Sequence, residues 1–206
     1  MGAVFESVEG AGWKVTYRNL RKELDSTRIE LEATKGEVAS TRQQADFIES
    51  AGVADLQPGT PVEEMRQLVR RYDSIREEKP SGPQRTREMT DVVRHLTILA
   101  GKLDNVDWFR YLHSHDGGER IAAYSYFYSR PHSEAASALT HALTTVENQP
   151  FGQYWAIRAL ARIAEKYPSS VRPQLSRLKE LLEGLPARTD RYYELSRIIN
   201  NLDPRT

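Results

Sequence analysis

Between residues 17 and 48, apolar or small residues return at alternating intervals of three and four: Tyr17, Leu20, Leu24, Thr27, Leu31, Thr34, Val38, Thr41, Ala45 and Ile48. That spacing is the repeat of a coiled-coil seam, with Leu24, Leu31, Val38 and Ala45 at a and Leu20, Thr27, Thr34, Thr41 and Ile48 at d. Three threonines at d bury little apolar area, and Gly36 costs a helix interior about 1 kcal/mol against alanine. The flanking charges are better ordered. Glu23, Glu30 and Glu37 occupy g, while Arg21, Arg28, Lys35 and Arg42 occupy e. In a parallel, in-register dimer these pair Glu23 with Arg28, Glu30 with Lys35 and Glu37 with Arg42, whereas an antiparallel pairing opposes like charges. Each exposed pair is worth only ~0.2–1 kcal/mol, so the pattern selects orientation more than it supplies stability. The expectation is a homodimer through Leu20, Leu24, Leu31 and Val38 with those charge pairs. A helix folded back on its own domain and a heterotypic coiled coil use the same stripe and stay open.

The stretch 52–61, GVADLQPGTP, carries two glycines and two prolines and ends this pattern. A helix start follows, with Thr60 at N-cap, Pro61 at N1 and Glu63 at N3, the residues of a capping box. The spacing predicts a helix over about 60–78 with Val62, Met65, Leu68, Val69, Tyr72 and Ile75 on one face. A partner over 83–103 carries Met89, Val92, Val93, Leu96, Leu99 and Ala100. Further helices are predicted over 104–115 (apolar at Val106, Phe109 and Leu112), 119–130, 134–146 and 151–167, then from Ser169 or Ser170 to about Gly184 with Pro173 in the first turn, and over 190–202. No segment alternates as a strand does. The eight helices group as four hairpins. Three regions result: a heptad helix over 1–51, a linker over 52–59 and a helical-repeat domain over 60–206.

The run at 139–168, LTHALTTVENQPFGQYWAIRALARIAEKYP, resembles a HEAT-like repeat. Leu139, Leu143 and Val146 stand at the core of its first helix. Trp155, Ala156, Ile157, Arg158, Ala159, Leu160, Ala161, Arg162 and Ile163 form a second helix rich in small residues. Arg120-Ile121-Ala122-Ala123-Tyr124 is a partial echo, and 191–199 lacks the alanines. The resemblance implies an all-α fold in which the N-terminal coiled-coil helix precedes stacked helical hairpins, an α-solenoid. Arg71-Tyr72-Asp73-Ser74-Ile75-Arg76 with the following 80–90 resembles a segment of bacterial conflict or defence proteins, which implies a sensor or regulatory role.

Composition narrows the function classes. The 206 residues are 39% hydrophobic and 28% charged, a mixture that suits exposed helical surface. Lys+Arg and Asp+Glu each number 29, so the basic excess of a dedicated nucleic-acid binder is missing and nucleic acid is not the expected partner. With no cysteine, thiolate chemistry and cysteine-ligated zinc are excluded. No run of about 18 apolar residues spans a membrane, and the start MGAVFESVEGAGWK has neither a signal-peptide pattern nor the myristoylation pattern, since Glu6 stands where Ser or Thr is needed. The expected compartment is cytoplasmic.

Candidate chemistry is sparse. His113-Ser114-His115-Asp116 is the only run resembling a metal site, but at a helix end residues two apart point away from each other. The alternative reading, histidines favoured by the C-terminal dipole followed by an Asp cap, is the expectation. No phosphate loop or nucleophile arrangement is recognisable, so no enzyme activity, cofactor or metal is expected. Among the aromatics, Tyr124, Phe127 and Tyr128 share one helix face and Tyr126 another, where an exposed tyrosine suits protein recognition; a tyrosine-rich core between repeats is the alternative. Trp155, Arg158 and Arg162 lie on one face by spacing. The expected function is a scaffold or adaptor that binds a protein partner through Tyr126, Trp155, Arg158 and Arg162. HEAT-like nucleic-acid binding through the same arginines is the runner-up, and a regulatory part of a bacterial defence system the third reading.

Overall fold

The computed structural model describes residues 60–103 and 106–203, and the heptad seam, its charge pairs and the 52–59 linker lie outside them. The described residues are helical, with no strand among them. The helices are α1 (Pro61–Glu78), α2 (Pro83–Leu99), α3 (Trp108–Leu112), α4 (Gly117–Ser129), α5 (Ala135–His141), α6 (Pro150–Lys166), α7 (Pro168–Val171), α8 (Leu175–Gly184) and α9 (Asp190–Leu202). None is long and apolar enough to cross a membrane.

Local sequence explains most of the helix starts. Glu63 N–H donates to Thr60 Oγ1 at 3.3 Å and Thr60 N–H donates to Glu63 Oε2 at 3.1 Å, which completes the capping box of α1. Asp107, Asp116 and Thr189 cap α3, α4 and α9 by accepting from Arg110, Glu119 and Tyr192 N–H. Prolines occupy the first turn of α1, α2, α6 and α7, where an N–H has no helical partner in any case.

Four helix bounds differ from the sequence expectation. The second helix leaves α geometry at Leu99 and finishes as a 3-10 turn, Ala100–Lys102. The short third helix starts only at Trp108, so Trp108 and Leu112, four apart, are its buried pair. Phe109 is 41% exposed instead of joining the core. The fifth helix widens into a π turn, Ala142–Val146, ending at Glu147. The helix expected from Ser169 or Ser170 is broken: α7 stops at Val171 and a 3-10 turn, Arg172–Gln174, carries Pro173, which has no N–H to continue the α ladder.

Packing runs from each second helix to the next. α1 packs on α2, α2 on α4, α4 on α6, and α6 on α9; α3 packs on α4 and α5, and α5 on α6 and α7. Tyr72, Leu112, Ile121, Tyr124, Phe127, Leu139, Ile157 and Leu160 are fully buried between these helices. α4 and α6 are enclosed on most sides, with every residue from 121 to 125 and from 155 to 161 buried. Ala122, Ala123, Ala156, Ala159 and Ala161 are the small residues that let helix axes approach at that density. On α1, Met65, Val69, Tyr72 and Ile75 are buried, while Val62 at the helix start is 36% exposed and Leu68 is half-buried.

Candidate interaction surface

On α6, Phe151, Tyr154, Arg158 and Arg162 form one stripe spaced by three and four, in which Phe151, Tyr154 and Arg162 are partly exposed. Trp155 adjoins this stripe but is buried, with its ring edge-on to Tyr128 at 5.8 Å and to Tyr154 at 5.7 Å. Arg158 is buried too. Its guanidinium lies 5.7 Å from the Tyr128 ring centroid and 5.9 Å from that of Tyr154. It donates to Glu194 Oε1 on α9 at 3.3 Å and to Tyr128 Oη on α4 at 3.4 Å. A cation on two ring faces and one carboxylate is held in a single geometry, so Arg158 ties three helices together.

Arg162, one turn on, keeps 43% of its side chain exposed; its guanidinium lies 5.9 Å from the Tyr128 ring centroid and pairs with Glu165 at 2.9 Å. α9 closes the patch with Arg197, which donates to Glu194 Oε2 at 2.9 Å, and with Arg191, bonded to Gln153 of α6. Tyr193 is 58% exposed. Sequence spacing puts Trp155, Arg158 and Arg162 on one helix face; Trp155 and Arg158, expected to meet a partner, are buried, and Arg162 keeps 43% of its side chain exposed. Tyr128, Tyr154 and Glu194, which complete the patch, come from three helices, and no local pattern marks them as neighbours.

Tyr126 belongs elsewhere. Its ring stacks on Trp108 at 4.4 Å and 14°, and on His132 at 5.9 Å and 8°. The three rings link α4 to α3 and to the start of α5. Phe109 stands beside them, 5.5 Å from Phe127. Tyr124, Phe127 and Tyr128 are buried, as their shared face requires. His113 and His115 are both exposed, and the His113 ring faces His141, 5.4 Å away on α5, rather than His115. Asp116 caps α4. Among the described residues no group of three or more His, Cys, Asp or Glu is placed to hold a metal.

Between the starts of α4 and α6 lies an ion pair that sequence reading did not single out. Arg120 of α4 donates to Glu147 through Nε at 2.9 Å, with side chains 7% and 2% exposed. Arg120 also donates to the backbone oxygens of Ser114 and His115, at 2.8 and 3.1 Å. Glu147 accepts from Tyr124 Oη at 3.3 Å and from Gln149 N–H at 3.0 Å, beside the N-terminus of α6. Burial, then the Glu147 charge, pushes the Tyr124 phenol upward, so it stays a donor to Glu147. Each end of the pair is satisfied by further hydrogen bonds, the condition under which a buried ion pair is tolerated. It fixes the turn before α4 against the turn before α6.

No family model matches the chain, and no curated protein or solved structure matches it. The functional reading therefore rests on these side chains and on the sequence pattern.

Proposed function

We propose that this chain is a protein–protein interaction module of the cytoplasm, an adaptor that self-associates through a parallel coiled coil over its heptad segment. Its helical hairpins stack as a HEAT-like α-solenoid whose α6–α9 face binds a protein partner. One observation carries the reading: Arg158, clamped by Tyr128, Tyr154 and Glu194, locks α4, α6 and α9 into a pre-ordered surface beside which Arg162 keeps 43% of its side chain exposed, while Tyr193 of α9 is 58% exposed. Tyrosine and arginine are the side chains that dominate protein interfaces, because they offer rigid contact area and directional donors at low ordering cost. A dimer doubles that surface and converts weak single contacts into avidity. The commitment of Arg158 to a carboxylate favours a protein partner over nucleic acid, since a charge already compensated releases few phosphate counterions.

Two measurements test this. Light scattering on the full chain is expected to give twice the monomer mass of 23.5 kDa. Glu23→Lys, Glu30→Lys and Glu37→Lys together should return it to a monomer, and adding Arg28→Glu, Lys35→Glu and Arg42→Glu should restore the dimer. A monomeric full chain overturns the self-association. A photocrosslinker at position 162 or 193 should then trap one and the same host protein, while one at Glu180 on α8 should not. Failure at both 162 and 193 removes the binding face.

A further inference from the structure

α1 and the start of α4 meet at a pair of glycines. Gly118 N–H donates to Asp73 Oδ1 at 3.0 Å across 45 residues of chain. Asp116, the N-cap of α4, accepts from Glu119 N–H at 3.0 Å, so the two carboxyls accept from consecutive N–H groups of one first turn. Two carboxyl groups thus converge on one helix start from different elements. The glycines make the approach obligatory. A Cβ on Gly118 would stand 2.6 Å from Val69 O and 2.7 Å from Asp73 Oδ2; one on Gly117 would stand 3.1 Å from Arg76 Nη1 and 3.5 Å from Asp73 Oδ1. The Asp73 carboxylate is packed with no slack between the α1 backbone and the start of α4.

Two carboxyls this close share a proton readily and repel when both ionise. We propose that Asp73, held beside Asp116, forms a proton-operated latch between α1 and the N-terminus of α4, closed while Asp73 carries its proton and loosened when it ionises. The charged and titratable groups around it are few. On α1, Arg76 offsets part of the negative charge and Tyr72 stays protonated through burial. On α4, the Glu119 charge acts on Tyr111, and the Arg120–Glu147 pair acts on Tyr72. On α2, Glu88 is engaged with Lys79. Arg66 of α1 and Arg110 of α3 act, with Asp116, on Tyr111.

The pH dependence follows in sign. Burial, then the Asp116 hydrogen bond and charge, pushes the Asp73 carboxyl from 3.8 up to about 7, against the pull of Gly118 N–H and Arg76. A raised carboxyl means the folded state binds the proton more tightly than the unfolded chain. Its stabilisation is complete below the unfolded value and is lost as pH climbs through the folded one. The window therefore runs from about pH 4 to pH 7, and the latch opens on the alkaline side.

The test is urea unfolding of the full chain from pH 5 to pH 8, with Asp73→Asn and Asp116→Asn beside wild type. The amide introduced by Asp73→Asn keeps an acceptor for Gly118 and offers a hydrogen to Asp116, a permanent stand-in for the protonated acid. The wild-type unfolding constant should rise about tenfold across this range, a figure reduced for the partial exposure of Asp73. The rise should vanish in Asp73→Asn, with the exchange protection factors of Gly118 and Glu119, each taken against the intrinsic rate at the same pH, no longer falling at pH 8. Because either variant can fail to fold, the wild-type Asp73 carboxyl is also titrated by carbon NMR. Parallel pH profiles in variant and wild type, or an ordinary carboxylate midpoint for Asp73, overturn the latch.

Discussion

Replacing Gly152 with alanine is the sharpest test of how the domain is held together. In an ordinary helix this change is stabilising by about 1 kcal/mol, because alanine loses less backbone entropy. Gly152 lies in the first turn of α6 and its φ is not positive, so backbone geometry does not oppose the methyl group. Space does. The new Cβ would overlap Glu147 at Cδ and Oε2, and would stand 2.8 Å from Oε1. A flexible carboxylate would swing aside, but this one is held by Arg120 at 2.9 Å, Gln149 N–H at 3.0 Å and Tyr124 at 3.3 Å with 2% of its side chain exposed. Moving it breaks a buried ion pair, which costs about 3–5 kcal/mol. Less the helix gain, the net loss is about 3 kcal/mol, or roughly 10 °C in Tm for a domain of this size. Circular dichroism at 222 nm during urea and thermal unfolding measures it. In a Glu147→Ala background the clash is absent, so Gly152→Ala should there be neutral or stabilising. The difference between the two backgrounds is the coupling energy. A neutral or stabilising Gly152→Ala in the wild-type chain would refute the claim that Glu147 is pinned.

Other perturbations separate the roles assigned above. Gly118→Ala meets a backbone oxygen at 2.6 Å and should destabilise by about 3 kcal/mol or more in chemical denaturation, since α1 and α4 would have to part. Arg158→Ala should cost about 2–4 kcal/mol because it leaves Glu194 with Arg197 alone and empties the space between Tyr128 and Tyr154. Arg162→Ala, at the exposed end of the same stripe, should change stability by no more than ~0.5 kcal/mol while abolishing crosslinking from position 193; an equal stability loss in both would remove the distinction between support and surface. Thr60→Ala removes the capping box of α1 and should lower stability by about 1 kcal/mol, read from the urea midpoint.

Much of this domain is legible in the chain because helices are local objects. Their caps and breakers act within a turn: Thr60 with Glu63, Asp116 before Gly117, Thr189 before α9, and the first-turn prolines all do what their sequence positions require. Apolar residues at intervals of three and four give the buried faces of α1, α2 and α4, and even the separation of Tyr126 from Tyr124, Phe127 and Tyr128. What sequence spacing left open depends on where helices meet. Trp155, Arg158 and Arg162 share a face in either case, but only packing against Tyr128 and Glu194 decides that the first two are buried and the third is exposed. The same holds for Glu147, which reads as part of an ordinary turn until Arg120 arrives from 27 residues away, and for Asp73, one of many charges on α1 until Gly118 and Asp116 close over it. A periodic pattern records which side of a helix avoids water. It carries no record of which distant polar group is waiting there, because that pairing is fixed by the packing of helices remote in sequence.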